Sequence, residues 1–432
     1  MKYRPIDSQL FISNRERLRR SLAPKGLVIV QANDVLPTNA DGTMRFRQNS
    51  DLFFLSGVNQ EESILVLFPD APDEKHREML FVRETNDHVK VWEGAKLTKE
   101  QATEVSGIEE VHWLDEFPKM FRLLMIQAER VYLNSNEHPR AEILIESRTA
   151  RFVRECQSAF PLHQYERLAP IISALRQIKQ PIEIDLIKEA CEITKKGFMR
   201  LLSFIKPGVG EWEIEAELAH EFLRHRSNHF AYEPIVASGA NACVLHYLDN
   251  DQVCQDGDVI LLDVAAEYAN YNSDLTRSIP VNGKFTPRQR EVYDALLRVF
   301  RQASAWLKPG TVIKLYQEEV GKLVEAELIG LGLLNAEEVK DQDPDKPLYK
   351  KFFMHGTAHH LGLDVHDVGD TWRPMEPGMV FTCEPGIYIP DEKLGIRLEN
   401  DILITETGNV DLMESIPIEA DEIEALMQDQ EQ

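Results

Sequence analysis

Over residues 1–170, short apolar runs alternate with longer polar stretches. Gly26-Leu27-Val28-Ile29-Val30, Ser63-Ile64-Leu65-Val66-Leu67-Phe68 and Met79-Leu80-Phe81-Val82 are rich in aliphatic residues and predict strands. The polar stretches between them predict helices, so residues 1–170 are expected to form an independent α/β domain. The pattern changes near Lys179-Gln180-Pro181, and residues 171–182 are expected to form a linker. Beyond it, Ile187, Ala190, Cys191, Phe198, Leu201, Leu202 and Ile205 recur at helical spacing until Lys206-Pro207-Gly208 stops the helix. Thr286-Pro287-Arg288-Gln289 combines a capping box with proline at the first helical position, and predicts a helix running to Leu307. Strand hairpins alternate with long helices over residues 183–432, an α+β layout.

The second region repeats itself. Lys206-Pro207-Gly208 introduces an amphipathic stretch over 212–224, and Lys308-Pro309-Gly310 introduces another over 312–328. Gly257 lies six residues before Asp263, and Gly378 lies six before Glu384. His246 precedes Gly257 by eleven residues and His366 precedes Gly378 by twelve. Each half therefore reads as helices, a histidine segment and a carboxylate hairpin.

Both hairpins carry acids where apolar residues are expected. Asp263 ends the run Val259-Ile260-Leu261-Leu262, and Asp274 stands just before Leu275-Thr276-Arg277-Ser278-Ile279. Asp263 and Asp274 centre on the turn-like Ala269-Asn270, while Glu384 and Glu399 centre within Pro390-Asp391-Glu392-Lys393. Each pair is expected to face across its own hairpin. Burying ionised carboxylates is costly and two together repel, but two divalent cations reverse that account. With His359 as a single imidazole, Asp263, Asp274, Glu384 and Glu399 read as the ligand set of a two-metal hydrolase. Oxygen-rich ligation favours Mn²⁺, and Co²⁺ or Zn²⁺ would also fit.

The remaining candidates are weighed against plainer roles. His355 and His359 have the i, i+4 spacing of a helical zinc pair, but Gly356 occupies the place where that motif needs glutamate. His359 is therefore read as a lone ligand, with His355 and His360 as supporting groups. His246 and His366 occupy equivalent places in the two halves and are read as binding substrate and its developing oxyanion, against a structural role at strand ends. Arg397 lies two residues before Glu399, on the same strand face, placed to orient a carboxylate or bind substrate. Tyr232, Tyr388, Trp92 and Arg373 are weaker picks.

The bulk properties exclude more than they specify. A net charge of −24 argues against nucleic acid and anionic membranes as partners. Five cysteines without CxxC spacing fit reduced thiols, and no apolar run is long enough for a signal or a membrane span. A soluble cytoplasmic protein is expected.

Leu262-Asp263-Val264, Ser273-Asp274-Leu275-Thr276-Arg277, His355-Gly356-Thr357-Ala358-His359-His360-Leu361-Gly362, Glu384-Pro385-Gly386 and Gly395-Ile396-Arg397-Leu398-Glu399-Asn400 resemble the motifs of the pita-bread metallopeptidases. That family includes aminopeptidase P, prolidase and methionine aminopeptidase. The segment from Arg47-Gln48-Asn49 through Leu55-Ser56-Gly57 resembles the N-terminal domain of aminopeptidase P, and Leu175-Arg176-Gln177-Ile178-Lys179 resembles its linker. The resemblance implies a duplicated catalytic fold, release of an N-terminal residue from peptides whose second residue is proline, two metals (Mn²⁺ foremost), and a homodimer or homotetramer. It implies that Asp263 and Asp274 hold one metal, that His359 and Glu384 hold the other, and that Asp274 and Glu399 bridge. It also implies Glu384 as proton shuttle, His246 and His366 as substrate and transition-state ligands, and Arg397 as their support. The segment between Gly369 and Glu376 and the loop from Tyr388 to Gly395 are shorter than in bacterial members, and His360 stands where tryptophan is frequent. Two rival readings are a prolidase, restricted to dipeptides, and a peptide-binding relative that has lost its metals.

Overall fold

The three apolar runs of the N-terminal region are strands β1 (Gly26–Gln31), β2 (Ile64–Leu67) and β3 (Glu78–Val82). Three shorter strands, β4 (Val111–Trp113), β5 (Arg130–Leu133) and β6 (Gln164–Arg167), complete a mixed sheet of order β4-β3-β2-β1-β5-β6. Only β2 runs against its neighbours; β1, β5 and β6 are mutually parallel, as are β3 and β4. All six residues of β1 are buried, so both of its faces are covered. On one face Leu27, Ile29, Val66, Phe81 and Val131 share a core with Phe117 and Leu124 of helix Phe117–Gln127 and Phe152 of helix Arg148–Ala159.

The computed structural model describes residues 3–141 and 144–428. The chain divides into two compact units, Arg4–Arg176 and Gln177–Gln432, with Tyr3 belonging to the second. Within the segment expected as a linker, residues up to Arg176 continue helix Ala169–Arg176, and a new helix begins at Pro181.

Helix Pro181–Leu202 buries Ile187, Ala190, Cys191, Phe198, Leu201 and Leu202, the stripe that its spacing predicts. Helix Glu211–Arg224 packs on it across Gly197, where a β-carbon would lie 2.5 Å from Phe222. A second pair, Pro287–Trp306 and Ile313–Gly330, repeats the arrangement. Thr286 caps the third of these helices: its hydroxyl accepts from the Gln289 amide, and the Gln289 side chain accepts from the Thr286 amide.

Each helix pair is followed by a carboxylate hairpin. In the first half β7 (Ile235–Ser238), β8 (Val259–Asp263) and β11 (Thr276–Pro280) form a sheet of order β11-β8-β7, extended by β9 (Glu267–Tyr268) and β10 (Tyr271–Asn272). Ala269 and Asn270 both have positive φ, 52° and 68°, as a two-residue type I′ turn requires. In the second half β12 (Val380–Cys383), β15 (Asn400–Ile404) and β16 (Asn409–Asp411) form one sheet, and β13 (Gly386–Ile389) pairs with β14 (Leu394–Arg397).

Register separates the two expected carboxylate pairs. Cys383 pairs with Asn400 and Gly386 with Arg397, so Glu384 lies opposite Glu399 as anticipated. The first pair is offset. Asp263 faces Thr276, and Asp274 lies diagonally across on the same face, because the hairpin centres between Ala269 and Asn270 and not one residue earlier. The two halves meet at an isolated antiparallel bridge, where the Glu399 amide donates to the Thr276 carbonyl at 3.1 Å.

Candidate metal centre

The acids of both hairpins converge. Among the described residues, Asp274, His359 and Glu399 each offer a ligand atom, and all three atoms lie within 4.8 Å of one another. His359 Nε2 is 3.5 Å from Asp274 Oδ2 and 3.5 Å from Glu384 Oε1. Its Nδ1 lies 3.0 Å from the His360 carbonyl, which fixes Nδ1 as the protonated nitrogen and leaves the Nε2 lone pair facing the acids. Residues 355–360 are irregular backbone and not helix, which removes the helical zinc-pair reading of His355 and His359.

Asp263 is held from two sides. The Tyr232 hydroxyl donates to Oδ1 at 2.6 Å, and Arg397 Nη2 donates to Oδ2 at 2.5 Å. Arg397, itself buried, also donates through Nη1 to the Tyr388 hydroxyl (2.8 Å) and through Nε to Thr276 Oγ1 (3.1 Å). The Thr276 hydroxyl in turn donates to Glu399 Oε2 at 2.6 Å. The Asp274 amide donates to Asp401 Oδ2 at 3.1 Å. Tyr232 and Thr276 thus orient the acids and Tyr388 steadies Arg397; Thr276 stands in a quoted motif but was given no role from the sequence, because a threonine in a strand carries no signal of its own.

The electrostatics follow from crowding. Burial, and then repulsion from neighbouring acids, raise the carboxyls of Asp263 and Glu399 above their ordinary range. Burial also pushes Glu384 up to about 7, against the pull of His359. Burial pulls His359 down, but Asp274 and Glu384 outweigh it and the net shift is upward. Asp274 and Glu399, buried, and Asp263 and Glu384, half-buried, face one arginine and one imidazole, so negative charge exceeds positive in the cluster. Carboxylate oxygens with a single imidazole, already oriented by hydrogen bonds, fit divalent cations of the harder kind.

His366 is exposed, and its ring stands edge-on to His359 with centroids 4.4 Å apart. His246 is exposed in the segment after Gly239–Cys243, near enough for its charge to act on His355. Both ring nitrogens of His355 are engaged, one 2.7 Å from the Tyr388 hydroxyl and the other 2.7 Å from the Gly356 carbonyl. His360 is buried against Phe381. Arg373 pairs with Glu376 three residues on, and Trp92 is exposed on helix Asp87–Glu93 of the N-terminal unit. Cys383, beside Glu384, is fully buried, and all five cysteines are unpaired.

This fold and this donor set define a class. The model for metallopeptidase family M24 matches residues 185–406, and the chain belongs to that family. Ahead of it, the model for the aminopeptidase P N-terminal domain matches residues 11–132. Xaa-Pro aminopeptidase of Escherichia coli is 36% identical over 98% of this chain and 98% of its own length. Xaa-Pro aminopeptidase 3 of Homo sapiens is 30% identical over 92% of this chain and 80% of its own. Among solved structures, Pseudomonas aeruginosa aminopeptidase PepP matches with a TM-score of 0.91 at 30% identity, covering 100% of each chain. Escherichia coli aminopeptidase P with the inhibitor Pro-Leu matches at 0.87 and 35% identity, covering 99% of this chain and 100% of that one. The fold is the pita-bread fold preceded by an aminopeptidase P-type domain, as the motifs implied.

Proposed function

We propose that this chain is an Xaa-Pro aminopeptidase, hydrolysing the bond between an N-terminal residue and a following proline. The observation that carries the reading is the convergence of Asp274, His359 and Glu399, with Glu384 beside His359, in a fold whose relatives are Xaa-Pro aminopeptidases. Asp263, Asp274, His359, Glu384 and Glu399 would hold two divalent ions, Asp263 and Asp274 on one side and His359 and Glu384 on the other, with Glu399 between them. The donor chemistry supports Mn²⁺, with Co²⁺ or Zn²⁺ as alternatives. Such ions, when bound, supply Lewis acidity toward the scissile carbonyl and lower the pKa of a water.

The protein groups do the rest. Glu384 takes the proton released as water attacks and delivers it to the proline nitrogen, which carries no hydrogen of its own once in the peptide bond and leaves only when protonated. His366, exposed beside His359, donates to the carbonyl oxygen as negative charge develops there. His246 holds the substrate from the other half. Arg397 and Tyr232 fix Asp263 so that its oxygens need not reorganise.

No helix among the described residues is long and apolar enough to cross a membrane. Unpaired cysteines and a charge of −24 support a cytoplasmic enzyme that avoids nucleic acid and anionic membranes and works on free peptides, and the family resemblance supports a homodimer or homotetramer.

The test uses metal-stripped protein with and without Mn²⁺ against Xaa-Pro dipeptides and Xaa-Pro-Yaa tripeptides. Mn²⁺-dependent release of the first residue from tripeptides is expected. Turnover of dipeptides alone would make the enzyme a prolidase, and no turnover with any of the three metals would leave a peptide-binding protein.

A further inference from the structure

Arg277 is fully buried, and all five of its N–H donors are used. Nε donates to the Pro417 carbonyl at 2.8 Å, and Nη1 to the carbonyls of Thr276 (2.9 Å) and Glu399 (2.8 Å). Nη2 donates to Asn400 Oδ1 at 2.7 Å and more weakly to the Ile416 carbonyl at 3.4 Å. None of these acceptors is a carboxylate. A buried cation with no ion-pair partner is expensive, and burial lowers its pKa to about 10. An ion pair is therefore not what this residue supplies. Its planar fork supplies geometry.

The fork spans three segments: β11 of the first half, the junction of β14 and β15 in the second, and the chain at Ile416-Pro417. At this bridge the halves are joined by a main-chain hydrogen bond, from the Glu399 amide to the Thr276 carbonyl. Arg277 grips both carbonyls of that bridge. Glu399 has its backbone held by Arg277 and its carboxylate held by Thr276.

We propose that Arg277 is a positioning residue that locks the Glu399 main chain to Thr276 and so sets the spacing between the carboxylates of the two halves. This rests on the metal assignment above. Removing the fork takes a donor from the carbonyls of Thr276, Glu399, Ile416 and Pro417 and from the Asn400 side chain, and lets the bridge shift.

Arg277→Lys keeps the charge and loses the fork, so it separates charge from geometry. The measurement is Mn²⁺ binding by calorimetry, with circular dichroism to establish that the variant is folded. The expected result is a weaker-ion Kd raised about 10- to 100-fold, with kcat reduced at limiting Mn²⁺, KM unchanged, and partial recovery in excess Mn²⁺. A folded variant that holds both ions with wild-type affinity overturns the proposal. Wild-type protein that fails to bind two ions overturns the metal assignment instead, so the two failures are distinct. Should Arg277→Lys not fold, Asn400→Ser removes one acceptor of the fork. It is expected to weaken Mn²⁺ binding in the same direction by less, and unchanged affinity there also overturns the proposal.

Discussion

Asp274 and His366 sit within the same small volume, but their surroundings assign them different work. Asp274 is buried, with an oxygen 3.5 Å from His359, whereas His366 is exposed, its ring edge-on to that of His359. Asp274→Asn replaces an anionic oxygen donor by a neutral amide. Metal binding and peptidase activity are expected to disappear together, read by metal analysis alongside tripeptide turnover. His366→Ala is expected to keep both ions and lose about 10²- to 10³-fold in kcat, the usual cost of removing one donor to a developing oxyanion. Near-normal turnover of that variant would remove His366 from the mechanism. These side chains could be picked out of the sequence because acids and histidines are conspicuous among apolar strand residues. The roles of Thr276, Arg277 and Asp401 could not be read, although the first two stand in a quoted motif, since each acts through a partner more than 100 residues away and nothing local marks such a partnership.

At the level of elements, legibility followed length and periodicity. The helices Pro181–Leu202 and Pro287–Trp306 carried a stripe or a capping box and were readable, the first ending three residues before the expected Ile205 and the second one before Leu307. Strands β4, β5 and β6 were not, being three or four residues long and, in β6, largely polar. The duplication was legible through its glycines: Gly257 and Gly378 have φ of 85° and 90°, a conformation that side chains rarely adopt. The two sites differ in space. A β-carbon at Gly257 meets nothing within 4 Å, but at Gly378 it lies 3.1 Å from Ile178 Cγ2 and from the Lys179 carbonyl. Gly257→Ala is expected to cost about 1–2 kcal/mol from backbone strain alone, and Gly378→Ala measurably more. Chemical denaturation of the two variants compares them directly, and equal losses would mean that the extra contact relaxes freely.

For the molecule as a whole, the crowded acids tie stability to pH. The folded-state pKa of Glu384 lies above its unfolded value, near 7 against 4.5, and those of Asp263 and Glu399 are also raised. The folded state therefore binds protons more tightly than the unfolded chain does. The stability these groups contribute is fully present below the unfolded pKa and lost as pH rises through the folded one. Metal-free protein is therefore expected to lose stability as pH rises from 4.5 through 7.5, with the three coupled acids contributing together. Saturating Mn²⁺ should flatten that slope, because bound cations neutralise the same acids. Thermal melts across that range, with and without Mn²⁺, test it, and parallel curves would contradict it. The bridge between Thr276 and Glu399 carries a consequence for ancestry. Either half, made as its own chain, would bring two of the four acids and leave this strand contact unpaired. Beside an identical copy, related by a twofold axis, the first half would bring four aspartates without the histidine and the second four glutamates with two, so the mixed cluster needs both halves.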